Sequence, residues 1–309
     1  MKFFKELDRT IFGYGSPTTL GVFRAIFATL ILINLLMLAP QIPDWFAPDG
    51  YVPLAAASTN EQGVFRIALF NELSYPFGFS IAYGVLVAAA AMAALGLFTR
   101  FSTIVLAIGL VSLHHRNPLI LHSGDTLMRV AAIYLAAAPC GLAFSLDRLR
   151  TVRRNGPVPI PEVSLWPQRL LQFQWALMYF MTAWAKSFGS DWRDGTAAWY
   201  PVHLAEFRRF PVPAFLDHQP FLAAATYGTL VVEVALATLV FAKPYRKWVL
   251  LGGLMLHASI EYRMNIPLFA MLSVSGYVLF YDGNEIEQWW ARLRSRLRPQ
   301  LNEPTQESA

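Results

Sequence analysis

Several ionisable side chains of this chain stand inside long apolar runs, where a charge is costly unless it is paired, faces a water-filled cavity or has work to do. Lys186 closes the run RLLQFQWALMYFMTAWAKS, and Tyr179 precedes it by seven residues with Thr182 between them. Seven residues make almost two helical turns, so the three lie on one face as a polar stripe. A lysine in an apolar setting is suited to act as a general base, but one near the end of a span also snorkels to the headgroups; the spacing leaves both readings open. His257 and Glu261 are four apart, the spacing at which an imidazole meets a carboxylate and the pair tunes a base. Glu233 sits deep in another apolar run and needs a partner or a proton; Arg24 is a candidate partner that can equally snorkel inward, and the sequence leaves the two open. Asp125 and Arg129, also four apart, are expected to form an ion pair. His114 and His115 point apart on a helix, and His122 adds no HxxxH spacing, so no metal site is expected.

The elements that carry these residues follow from composition. Of 309 residues 55% are hydrophobic and 15% charged, against about 25% charged in ordinary soluble domains, and the mean hydropathy is +0.40. A bilayer is therefore the expected solvent. The 25 basic and 20 acidic residues give a net charge of +5, but the excess is confined to certain loops, so no nucleic-acid partner is expected. Cys140 is the single cysteine, which excludes an intramolecular disulfide and any multi-cysteine metal site within the chain. The sequence contains no GxxxxGK[ST], HExxH or GxSxG, so nucleotide hydrolysis, zincin proteolysis and serine hydrolysis lose their usual signatures.

Runs near the length needed to cross a bilayer lie at 20–39, 78–98, 101–115, 126–146, 168–188, 221–242, 247–263 and 264–282. The expected fold is an all-α polytopic transmembrane bundle of about eight spans, with 101–115 short enough to be re-entrant. With eight spans, 16 of the 25 Lys and Arg fall on one set of loops and termini and 6 on the other, which places both termini in the cytoplasm. The first run is of full span length and is read as retained rather than cleaved. Residues 1–19 form an expected interfacial amphipathic helix with Phe3, Phe4, Leu7, Ile11 and Phe12 on one face, 283–298 a basic amphipathic cytoplasmic helix, and 299–309 a disordered tail. Two long outer loops, 40–77 and 189–220, are functional candidates, the second an aromatic lid, and 147–169 reads as a linker between two four-span halves. No internal repeat is evident.

Four stretches together resemble the HTTM domain, the membrane module of vitamin K-dependent gamma-carboxylases and of many bacterial proteins. They are RNPLILHSGD at 116–125, PCGLAFSLD at 139–147, YFMTAWAKSFGSDWRDG at 179–195 and HASIEYRMNIPLFAMLS at 257–273, within a likeness covering most of 17–282. The resemblance implies that Lys186, after a YF pair and before the pair Asp191 and Trp192, is the base that deprotonates a reduced quinone of the vitamin K or menaquinol type. His257 matches a family histidine. In the carboxylases oxygen then carries the hydroquinone toward an epoxide, and the strong base so formed removes a gamma proton from a glutamate to which carbon dioxide adds. Two departures accompany the likeness: the carboxylases carry a large extramembrane domain that the sequence lacks after its last apolar run, and at their histidine before the SGDTLMR helix this chain has Gly124, with His122 two residues away.

Three readings follow. The first is a carboxylase-like membrane enzyme of a bacterial inner membrane, with Lys186 and His257 catalytic and Tyr179, Asp125, Arg129, Glu261, Asp191, Trp192 and Glu233 supporting. The second is a non-enzymatic membrane partner for the maturation or export of a small peptide or protein. The third is a transporter relaying protons through Glu233 and Arg24. Lipid and a peptide or small protein are the expected partners, and the sequence leaves the oligomeric state open. The charge asymmetry makes sidedness testable: with Cys140 replaced, single cysteines at positions 153 and 208 should differ in labelling by an impermeant thiol reagent in intact cells, the latter reacting. Equal labelling would overturn the topology.

Overall fold

The computed structural model describes residues 11–53, 56 and 66–297. Residues 1–10 of the expected amphipathic helix and the whole of the expected tail 299–309 lie outside the described residues. The described chain is all-α apart from one small strand pair, β1 (Tyr14–Gly15) with β2 (Val163–Ser164), antiparallel with Tyr14 opposite Ser164.

The principal helices are α1 (Thr18–Leu38), α2 (Phe77–Leu95), α3 (Thr99–Arg116), α4 (Ser123–Ala137), α5 (Leu146–Asn155), α6 (Trp166–Ser187), α7 (Gln219–Thr238), α8 (Lys243–Arg263), α9 (Phe269–Ser275) and α10 (Gly283–Leu297). Short helical turns join several of them, and the turn Gly276–Phe280 prolongs α9. Each of the eight apolar runs contains one of these helices. Three helical segments, Thr18–Phe46, Phe77–Leu95 and Gln219–Phe241, are long and apolar enough to cross a membrane. Polar residues break the uniform apolarity of others: α6 carries Gln168, Arg169 and Gln172, and α3 ends in His114, His115 and Arg116. The run 101–115 is one continuous helix. The run 126–146, by contrast, is helical only to Ala137, because Pro139 and Gly141 follow and the chain turns to α5 inside the segment read as a linker.

The helices pack in two groups. α1 lies on α2, α2 on α3 and α3 on α4, while α6 lies on α7, α7 on α8 and α8 on α9. The groups meet where α9 and the turn after it lie against α1, α9 against α4, and α4 against α6; α10 then returns to α1. Aromatic rings fill this seam. Phe23 stacks on Phe27 at 5.0 Å between centroids, and the edge of Trp175 stands against both.

With lipid outside and little water inside, polar groups at the seam bond to backbone carbonyls. The indole N–H of Trp175 donates to Ser273 O at 2.9 Å, and the amides of Gln168 and Gln172 donate to Leu279 O at 2.8 and 2.6 Å. Arg24, fully buried, donates to Ala93 O at 3.0 Å, Gly21 O at 3.3 Å and Phe144 O at 2.5 Å. That arrangement sets Arg24 against the carbonyls freed where α2 ends and α5 is about to begin, with its Nε buried and unpartnered, and leaves Glu233 to another cation. Gly96, with φ +68°, ends α2, and a Cβ there would stand 2.0 Å from an Arg24 nitrogen.

The seam's tightness generates a prediction. A Cβ on Gly276 would fall 2.0 Å from the Trp175 ring, whereas one on Gly84 in α2 meets nothing within 4 Å. Gly276→Ala should cost about 2 kcal/mol through overpacking, read as a lowered thermal midpoint in detergent, and Gly84→Ala should leave the midpoint unchanged or raise it. Equal midpoints for the two variants would contradict the packing.

Candidate functional site

The polar stripe of α6 points at α7 and α8. Trp175, Tyr179 and Ala183 are buried on this face, and Thr182 turns its hydroxyl back to Tyr179 O at 3.0 Å. One turn beyond, the Lys186 ammonium forms a hydrogen-bonded ion pair with Glu233 Oε1 of α7. The lysine side chain keeps 27% of its surface exposed against 7% for the glutamate, so the open side of the pair is the lysine's. Trp192, in the turn after α6, presents its ring 4.9 Å from Nζ, a cation–π contact that covers the ammonium from the loop side. Asp191 holds that turn through its carbonyl, which accepts the N–H groups of Thr196 and Ala197, each at 2.9 Å.

Two turns down the same face, Tyr179 Oη lies 2.8 Å from His257 Nε2 of α8 and 3.2 Å from Tyr277 Oη of the turn after α9. All three groups are buried, and the imidazole packs edge-on against Phe269 and Tyr277. His257 therefore pairs across helices rather than with Glu261, which corrects the expectation drawn from their spacing. Glu261 instead holds Arg209 of the 189–220 loop in an ion pair. That loop is further fixed to the end of α8 by Asn265 N–H on Phe207 O at 2.6 Å and Tyr262 Oη on Pro211 O at 3.0 Å. Two atoms of the cluster have no hydrogen-bond partner in the protein although they are buried, Glu233 Oε2 and His257 Nδ1. Unmatched acceptors and ring nitrogens of this kind are costly and need an explanation beyond packing.

Asp125 belongs to a different constellation. His122 caps α4: its Nδ1 accepts the Gly124 N–H at 2.9 Å, while Asp125 Oδ2 accepts the His122 N–H at 2.8 Å. Because Nδ1 accepts, a neutral ring carries its proton on Nε2, 3.6 Å from the same carboxylate oxygen. A Cβ on Gly124 would stand 2.5 Å from the ring, so this cap requires glycine there. The carboxylate thus serves His122 rather than Arg129, one turn further on, and the expected i,i+4 pair is corrected: a free helix N-terminus is a nearer claimant on the charge. Beside the cap lies a cavity of about 180 Å³, lined by Asn34, Gln41, His114, His122 and Asp125 with apolar walls. His114 faces it with Nδ1 buried and unpartnered. Among the described residues no group of three or more His, Cys, Asp and Glu is arranged to hold a metal ion.

Three contributors lie outside anything spacing could indicate. Tyr277 completes the buried chain from His257, and no periodicity relates residue 277 to 179. Arg116 and Asn117 reach the short helix that opens the 40–77 loop, donating to Phe46 O at 2.9 Å and Trp45 O at 2.8 Å. Their only signal is polarity at the end of an apolar run.

A family model for the HTTM domain matches residues 14–284, which is most of the chain. No curated protein and no solved structure gives a match.

The buried ion pair has a stability signature. Removing the lysine alone leaves Glu233 charged and uncompensated, so Lys186→Met should cost roughly 3 kcal/mol, while Lys186→Met combined with Glu233→Leu should recover most of that loss. Additive losses in the double variant's thermal midpoint would show that the two side chains do not depend on one another.

Proposed function

The chain belongs to the HTTM domain family, and on that premise we propose that it is a carboxylase-like integral membrane enzyme that uses a reduced quinone of the vitamin K or menaquinol type, with Lys186 as base. The observation that carries this reading is the contact of Lys186 Nζ with Glu233, a carboxylate whose second oxygen is buried without a partner. A donor set of one lysine, one glutamate, one histidine and two tyrosines suits a ligand whose reactive groups are phenolic hydroxyls.

A quinol, when bound, supplies two phenolic protons and an electron pair for the reduction of oxygen. To accept such a proton Lys186 must be neutral, and Glu233 Oε1 is the group placed to take the ammonium proton first. The protonated carboxylic acid and neutral amine then carry no net charge in an apolar setting, which lowers the cost of separating the pair. With a quinol bound, Lys186 Nζ would be the group to hold a phenolic proton, its charge then resting beside Trp192. The Tyr179 hydroxyl, bracketed by His257 and Tyr277, offers a fixed hydrogen-bond group two turns from the base and restricts the orientations open to a ring lying along α6. The burial of Tyr179, His257 and Glu233 limits water around the reacting groups, which suits a strong base. The same reading places the chain in a bacterial inner membrane with both termini cytoplasmic and gives it a peptide or small protein as second substrate.

The test is incubation of the purified protein with menaquinol, oxygen and bicarbonate, followed by analysis for quinone epoxide and carboxylated product. Lys186→Arg keeps a charge that can pair with Glu233, yet a guanidinium retains its proton at any biological pH. That variant should insert and fold but lose at least about 100-fold in turnover, the scale of a general base. Wild-type turnover in Lys186→Arg would reject the assignment.

A further inference from the structure

A groove of about 830 Å³ runs between α5 and α10, at the opposite end of the sequence of helices from the Lys186 cluster's loops, with the start of α1 at its floor. Its walls are apolar and aromatic. Phe144 and Leu149 come from one side, and Ile286, Trp289, Trp290 and Leu293 from the other. On α10 these last four recur at the three- and four-residue spacing that makes a single helical stripe. Phe144, Leu149, Trp289, Trp290 and Leu293 are each two-fifths exposed or more, an unusual investment of large apolar side chains for a surface that meets only water.

The charges around the groove are mostly positive, with Glu287 the one acid in its lining. α5 carries Arg148, Arg150, Arg153 and Arg154, and α10 carries Arg292, Arg294 and Arg296. Of these, Arg148 and Arg294 line the groove itself. Arg148 is braced by Val158 O across the loop, and the Arg294 guanidinium stands 5.1 Å from the Trp290 ring, so both are held near the rim. The acids of the same two helices all accept hydrogen bonds from other groups, and Glu287 does so at the foot of the groove, where Thr18 also stands. Asp147 accepts the N–H groups of Phe98 and Thr99 at 2.9 and 2.7 Å; Glu285 accepts the Asp282 N–H at 2.9 Å and lies 3.9 Å from Arg246; Glu287 accepts the hydroxyls of Ser16 and Thr18 at 2.5 and 2.6 Å. What the groove offers outward is positive charge over an apolar floor.

We propose that this groove is a binding site for an anionic phospholipid, its phosphate held between Arg148 and Arg294 and an acyl chain laid along the Trp289, Trp290 and Leu293 stripe. Basic pockets beside membrane helices recognise such headgroups through charge, and the buried chain supplies affinity that a free anion lacks. Indole rings at Trp289 and Trp290 suit the boundary between headgroup and acyl chain. The proposal requires only that the chain is embedded in a membrane and is independent of the quinol chemistry.

The test is native mass spectrometry of the full chain in detergent, offered an equimolar mixture of dioleoyl-phosphatidylglycerol and dioleoyl-phosphatidylcholine. The wild type should retain phosphatidylglycerol in preference by about tenfold, and 10 mM inorganic phosphate, a concentration chosen for the test, should not displace it. Arg148→Gln with Arg294→Gln should bring the two lipids within about twofold of each other, with the elution profile and helical circular dichroism unchanged. Arg153→Gln with Arg154→Gln, which removes the same charge outside the groove, should keep the preference. Equal retention by the wild type, an equal loss in both double variants, displacement by phosphate, or a dimer that the groove variant abolishes would each overturn the proposal. Should the groove variant fail to fold, Trp290→Ala with Leu293→Ala tests the floor instead, and undiminished lipid retention there would also overturn it.

Discussion

A polar group buried in this bundle has no water to return to, and most of the architecture is an answer to that constraint. The backbone carbonyls released at helix ends and in the turn after α9 are the scarce acceptors that need donors, and side chains from distant segments supply them. Arg24 closes the junction of α1, α2 and the segment before α5 by serving three carbonyls at once. Gln168, Gln172 and Trp175 do the same for the last turn, each reaching from α6 to a carbonyl about a hundred residues later. Apolar packing between helices contributes little direction in lipid, since the surrounding tails are equally apolar. Register is therefore set by these bonds and by steric fit such as Trp175 over Gly276.

The Lys186 cluster stands out because it does not follow the rule. Elsewhere along the seam buried side chains bond to backbone; here side chain meets side chain, in the pair of Lys186 with Glu233 and in the chain from His257 through Tyr179 to Tyr277. Groups that bond to one another rather than to a fixed carbonyl can exchange protons and partners without disturbing a helix. The two unpartnered atoms, Glu233 Oε2 and His257 Nδ1, are on these same residues. A cluster of side chains bonded to one another is a different object from a clamp onto fixed carbonyls such as that of Arg24.

How much of this was legible in the sequence depends on the distance over which each feature is encoded. The helices were visible, because apolarity over a run near 20 residues is a local property, and the stripe from Tyr179 to Lys186 followed from one helix's own period. The end of α4 was overlooked where Pro139 stands inside an apolar run, a local signal outweighed by hydropathy. Spacing of four residues suggested two pairs, Asp125 with Arg129 and His257 with Glu261, and neither forms. In both cases a stronger claimant arrives from outside the four-residue window: the exposed N-terminus of α4 for Asp125, and Tyr179 for His257, while Glu261 turns to Arg209. For Arg24 the sequence leaves a carboxylate partner and a snorkelling position open, and its contacts are instead backbone carbonyls brought by other segments. Tyr277 had no signal at all, since its neighbours in space lie on helices far from it in the chain.

The contacts of α1 bear on the order in which the molecule is assembled. This helix precedes the other described helices in the chain, yet some partners of it and of the residues just before it come last: Thr19 donates to Tyr281 O, Ser16 and Thr18 bind Glu287, and Gly15 pairs in β1–β2 with Val163. Until the later helices are made α1 has α2 as its chief neighbour, and Phe23 and Phe27 must wait in lipid until Trp175 emerges. Lipid tolerates that delay, because an uncovered phenyl ring is at ease there in a way it would not be in the cytosol. The bilayer thus acts as a holding solvent, and this topology, with its first and last segments in contact, is one that a nascent chain can complete without exposing its seam to water.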